Sequence, residues 1–96
     1  MIANIYWSPL AEESYLKTLA FILEKWTLKE AEDFRMKVEG LIVKLTIHHQ
    51  LCPPSKSHNE LRKCVISPQT SLIYRIVDKN IIELVAFINN RSFHYY

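Results

Sequence analysis

Arg91, His94, Tyr95 and Tyr96 put a guanidinium, an imidazole and two phenols into the six residues that follow Asn90. Such a set has two readings. It is the end of a strand that tucks aromatic rings into a core, with Tyr95 or Tyr96 against Tyr6 or Trp7. It is otherwise an edge that handles RNA or a partner protein. A histidine titrates near neutral pH and serves as acid or base, and arginine binds phosphate through two parallel N–H donors. Further cations lie upstream, at Arg62, Lys63 and Arg75. Arg62 and Lys63 are adjacent on a predicted strand, so they point to opposite faces and cannot serve one phosphate together.

The elements that must position these residues are legible from spacing. "IANIYW" (2–7) is β-branched and aromatic and predicts a strand. Ser8 and Pro9 fit an N-cap and first helical position, and Ala11, Tyr15, Leu19, Ile22 and Trp26 recur at helical spacing over about 9–26. Thr27 and Glu30 form a capping box that opens a second helix. Its apolar face is Ala31, Phe34, Val38, Leu41 and Leu45, and it runs to about His48. A joint this short folds the two helices back as a hairpin. His48 and His49 then end the second helix, where a cation suits the dipole.

Residues 50–60, with two prolines and no periodicity, predict a loop. Three strands follow at 61–67, 71–78 and 81–89, with hairpin-sized joints that imply an antiparallel meander. The order is β-α-α-β-β-β: an α+β domain spanning residues 1–96, with a helical hairpin on one face of a mainly antiparallel sheet. Alternation puts Leu72, Tyr74 and Ile76 on one side of the third strand. On the last strand it sets Ile82, Leu84, Ala86 and Ile88 against Glu83, Val85, Phe87, Asn89 and Arg91. The apolar sets are expected to meet the helices. Arg75, Glu83 and Arg91 are expected to line the open face, a plausible binding surface.

Composition sets the outer limits. With 49% apolar and 23% charged residues the chain has an ordinary globular mix. Its apolar runs are too short to span a bilayer, and "MIANIYWS" lacks the pattern of a signal peptide. The net charge of +2 hides an asymmetry: residues 51–96 hold six Lys or Arg against three Asp or Glu. That excess suits an anionic partner. Cys52 and Cys64 show no CxxC spacing and, with His48, His49 and His58, no common zinc pattern. They are expected to be reduced thiols in a cytoplasmic protein, and no cofactor is expected.

Two stretches carry a family resemblance. "EKWTLKEAEDF" (24–34) has a tryptophan at the helical joint and an A-x-x-F/Y pattern entering the second helix. "LIYRIVDKNIIELVAFINNR" (72–91) has the LxYR start and the closing basic residue of a ParE-type hairpin. Together with length and element order, they make nearly the whole chain resemble the RelE/ParE superfamily of toxins from type II toxin–antitoxin (plasmid stabilisation) systems. ParE is closest in pattern, with a YoeB-like His-Tyr C-terminus. The resemblance implies a RelE-like fold, growth inhibition, and a cognate antitoxin that binds the toxin in a hetero-oligomer.

The superfamily has two branches. RelE-like and YoeB-like members cleave mRNA on the ribosome, whereas ParE members act on DNA gyrase. Metal-independent RNA cleavage needs a base for the 2′-hydroxyl, cations for the phosphorane and an acid for the leaving oxygen. For that branch the resemblance makes Arg91, His94 and Tyr96 the candidate catalytic residues, and Arg62, Lys63, Arg75 and Arg91 the binding set. RelE-like enzymes also carry an arginine just before the third strand's L-V-Y; here that position is Ser71. Arg75 follows the tyrosine, as in ParE-like chains. The expected activity is therefore ParE-like and directed at gyrase, with ribosome-dependent endoribonuclease, or an inactive binding module, as the alternatives.

Overall fold

The structure is a computed structural model and describes residues 2–58 and 60–91. Strand β1 (Asn4–Trp7) leads into helix α1 (Pro9–Lys25) and helix α2 (Leu28–Ile47). Strands β2 (Arg62–Val65), β3 (Thr70–Asp78) and β4 (Ile81–Asn89) complete the order. The strands form a four-stranded sheet in the order β1-β4-β3-β2. Pairing of β2 with β3 and of β3 with β4 is antiparallel, and β1 joins β4 in parallel. This is the predicted β-α-α-β-β-β arrangement with its helical hairpin on one face.

Both helix starts are made by the residues that the sequence offers. The Ser8 side chain accepts from the Ala11 N–H at 3.0 Å, with Pro9 at the first helical position. The Glu30 N–H donates to Thr27 Oγ1 at 3.3 Å, and the Thr27 hydroxyl donates to the Glu30 carboxylate at 3.3 Å. The bonds from the Ala11 and Glu30 N–H groups each close one of the backbone donors that a helix start leaves open. Helix α2 stops at His48, which caps it. The core lies between hairpin and sheet and contains Phe34, Val38 and Leu45 from α2, with Leu72, Tyr74, Ile82, Leu84 and Phe87 from the sheet.

The face assignment of β4 fails halfway along the strand. Ile82 pairs with Ile76 and Leu84 with Tyr74, but the next pairs are Ala86 with Ile73 and Phe87 with Leu72. Val85 is the extra residue, a β-bulge that reverses the alternation beyond it. Phe87, not Ala86 or Ile88, turns toward the helices. Its ring lies 5.7 Å from Trp7 and 5.3 Å from Tyr15, and Tyr15 in turn lies 6.1 Å from Phe34.

The bulge has a cause outside its own strand. β1 pairs with β4 only as far as Leu84, so the edge of β4 beyond that point needs other partners. Two serines supply them. Ser8 Oγ donates to the Val85 carbonyl at 2.8 Å, and the Phe87 N–H donates to Ser14 Oγ at 2.9 Å. The start of α1 thus closes the edge that β1 leaves open.

The expectation of two reduced thiols is overturned. Cys52 and Cys64 form a disulfide, with their Cα atoms 5.3 Å apart. The loop before β2 folds back along that strand: Pro54 bridges to Arg62, the Ser55 N–H donates to the Leu61 carbonyl and the Lys63 N–H to the Pro53 carbonyl. Cys52 is laid on Cys64 as a result. The loop is also pinned from the core, because the Tyr74 hydroxyl donates to the His49 carbonyl at 2.8 Å and accepts from the Cys52 N–H at 3.3 Å.

Candidate functional site

A groove of about 1110 Å³ lies between the helical hairpin and the turn joining β2 to β3. Phe87 forms part of its floor. Phe21, Ile22 and Trp26 line it from the end of α1, and Phe34 and Met36 from α2. Phe21, Trp26 and Met36 are each more than half exposed. Four cations line the same groove, Lys17, Lys25, Lys37 and Arg91, against the acids Glu30 and Asp33.

The opposite wall, Ser67–Thr70, is tied to the end of β4 by Asn90. The Asn90 amide donates to the Ser67 and Pro68 carbonyls at 3.1 and 3.2 Å and accepts from the Ser71 hydroxyl at 2.6 Å. The Asn89 side chain accepts from the Arg91 N–H at 2.8 Å, which fixes where the backbone of Arg91 begins. The sequence reading missed this groove because three separate segments build it.

The predicted cations do not converge. Arg62 pairs with Tyr74 and Lys63 with Ile73 across the ladder, so the two do face opposite sides of the sheet. Arg62 donates to the Cys52 carbonyl at 2.7 Å. Arg75 is on the open face, and its guanidinium contacts the Glu83 carboxylate at 2.5 Å. Arg91 is not on that face. The bulge at Val85 carries Phe87 and Asn89 to the helix side, and Arg91 opens into the groove beside them. The expected open-face trio of Arg75, Glu83 and Arg91 is thereby broken. Glu83 and Asn89 are six residues apart on β4, about 20 Å at strand rise, so Arg75 and Arg91 cannot share a phosphate.

Ser71, where a nuclease-type arginine is missing, is fully buried, and its hydroxyl is used by Asn90. His94, Tyr95 and Tyr96 lie outside the described residues. Among the described residues no group of three or more His, Cys, Asp or Glu side chains could hold a metal ion. No described helix is long and apolar enough to cross a membrane. Burial raises the Tyr74 hydroxyl above its usual pKa, against the opposing pull of the Cys52 N–H and the charge of Arg62. Burial also raises Tyr15, with Glu39 adding to the effect.

Against families of known sequence, residues 5–95 match the ParE toxin of the type II toxin–antitoxin system parDE. The chain belongs to the ParE toxin family. It is the toxin of a type II pair, and family membership brings with it an antitoxin partner. No individually curated protein matches it in sequence. Among solved structures it is similar to the chromosomal ParDE toxin–antitoxin system from P. aeruginosa. That likeness has a TM-score of 0.74 at 10% identity and covers 92% of this chain and 96% of that one. A mutant of YafQ from E. coli and the conserved hypothetical protein HP0894 from Helicobacter pylori each align with a TM-score of 0.58 at 14% identity. Both alignments cover 94% of this chain and 96% of the other. At these identities the structural likeness establishes the fold of this ParE-family toxin, and the family match establishes the family.

Proposed function

We propose that this ParE-family toxin, acting as one domain over residues 1–96, inhibits growth by binding DNA gyrase rather than by cutting mRNA on the ribosome. The observation that carries the reading is the state of Ser71 and Arg75. A cleaving site concentrates cations on one phosphate, and removing one such donor typically costs about 10²–10³ in rate. Ser71 has no charge and its hydroxyl is used by Asn90. Arg75 is neutralised by Glu83 on the far face from Arg91. Arg91, free of any carboxylate partner among the described ion pairs, is the anchor for gyrase.

Neutralisation follows from the groove. Its apolar floor and its excess of lysine and arginine suit an acidic amphipathic segment that orders on binding, supplied by the cognate antitoxin in a cytoplasmic hetero-oligomer. Purified toxin should inhibit plasmid supercoiling by gyrase. Arg91→Ala should lose that inhibition and His94→Ala should keep it. Cleavage of mRNA on programmed ribosomes that disappears in His94→Ala or Tyr96→Phe would transfer the chain to the nuclease branch. Inactivity in both assays would leave a binding module.

A further inference from the structure

Helix α2 carries a second apolar stripe, opposite the one that it buries. Met36, Val43 and Ile47 are 61%, 62% and 57% exposed, at spacings of seven and four residues. Gly40 completes the series at i, i+4, i+7 and i+11, and a Cβ added there would meet nothing within 4 Å. At 3.6 residues per turn these positions fall within an arc of about 60°, roughly 180° from Phe34, Val38 and Leu45 in the core. A solvated helix face ordinarily carries charge at its centre and not a continuous apolar seam.

The charges lie on the flanks and are sorted by sign. Glu32 and Glu39 run along one side of the seam, and Lys37 and Lys44 along the other. In a parallel pair of helices, each flanking residue meets the residue five places later on the opposite flank of its partner. Glu32 then faces Lys37 of a second copy, and Glu39 faces its Lys44. An antiparallel pair would set glutamate against glutamate and lysine against lysine. Arg35 engages Oε2 of both glutamates, at 3.0 and 2.7 Å, which leaves Oε1 of each to accept from a lysine.

We infer that two copies of this chain associate through parallel α2 helices along the Met36–Gly40–Val43–Ile47 seam. Gly40 lets the backbones approach at the centre. The seam ends where the same face turns charged, at the Lys29–Asp33 pair, so it is about 16 Å long. A four-residue seam of that length buries much less than the 1,200–2,000 Å² of a standard stable interface. The dimer is weak and dependent on concentration. It shares Met36 and Lys37 with the groove but uses neither the open face of the sheet nor Arg91.

Sedimentation of the full chain from low micromolar to near-millimolar concentration tests the inference. Monomer should give way to dimer. The K37E/K44E double variant should weaken association roughly tenfold or more, since all four symmetric pairs turn repulsive. Adding E32K and E39K should restore it. Circular dichroism of each variant monitors the fold. Ile47→Cys should crosslink to its own copy on oxidation, which only the parallel arrangement allows. A monomer throughout, association indifferent to the charge swap, or association that survives Val43→Asp would each overturn the inference.

Discussion

Reducing the Cys52–Cys64 bond should lower stability without dismantling the fold. The bond closes a span of twelve residues, and the chain-entropy relation gives about 3 kcal/mol at 25 °C for a loop of that size. The native loop stays anchored without it, through the Tyr74 hydroxyl, the Arg62 contact to the Cys52 carbonyl and the Ser55–Leu61 bond. The effect therefore falls mainly on the unfolded chain. For a domain of this length each kcal/mol moves the melting temperature by about 4–8 °C, so the midpoint should fall by roughly 12–24 °C. Thermal melts with and without a dithiol reductant, and of the Cys52→Ser/Cys64→Ser variant, measure it. Thiol titration in denaturant should find no free thiol before reduction. Two titratable thiols in protein purified without reductant, or superimposable melts, would refute the reasoning. Under reducing conditions the same figure is the stability that the toxin lacks until the bond forms.

Ser8→Ala removes both the N-cap of α1 and the donor to the Val85 carbonyl and should cost about 2 kcal/mol by denaturant titration; Ser14→Ala, which strands the Phe87 N–H, should cost about 1–2. Tyr74→Phe leaves the His49 carbonyl and the Cys52 N–H without their shared partner and should cost about 1–3 kcal/mol. Because folding raises the pKa of Tyr74 and Tyr15, the stability tied to these protonated hydroxyls is complete below the ordinary value of 10.0 and is lost as pH rises through their folded values. Alkaline titration of stability should therefore slope less in Tyr74→Phe. Ser71→Arg should lower the melting temperature by several degrees and confer no RNA cleavage, since a guanidinium enters a fully buried site; cleavage gained there would contradict the gyrase reading.

Local signals made most of the architecture legible. Ser8 and Thr27 cap helices through bonds to residues three places away, and the core stripe of α2 follows from spacing alone. Alternation served β3 up to the register shift after Ile76 and β4 as far as Leu84. Beyond that it failed, because the bulge is fixed by Ser8 and Ser14, more than seventy residues away in sequence, and Val85 itself carries no mark. The disulfide escaped for a similar reason, since it depends on a loop folding along a strand. Of the candidate site, the sequence established that Arg62 and Lys63 oppose each other and that Ser71 breaks the nuclease pattern. The departure of Arg91 from Arg75 needed the register.

The extra residue at Val85 makes part of this chain's surface chemistry a matter of parity. A substitution in β4 changes one side chain in one place. Losing or gaining a residue at Val85 would exchange the two sides of the sheet for everything up to Asn89. It would withdraw Phe87 from its aromatic neighbours and carry Arg91 out of the groove. Between related toxins, a one-residue length difference at this point is thus a change of address for the strand's whole second half. An ungapped comparison of β4 would read it as a run of unrelated substitutions.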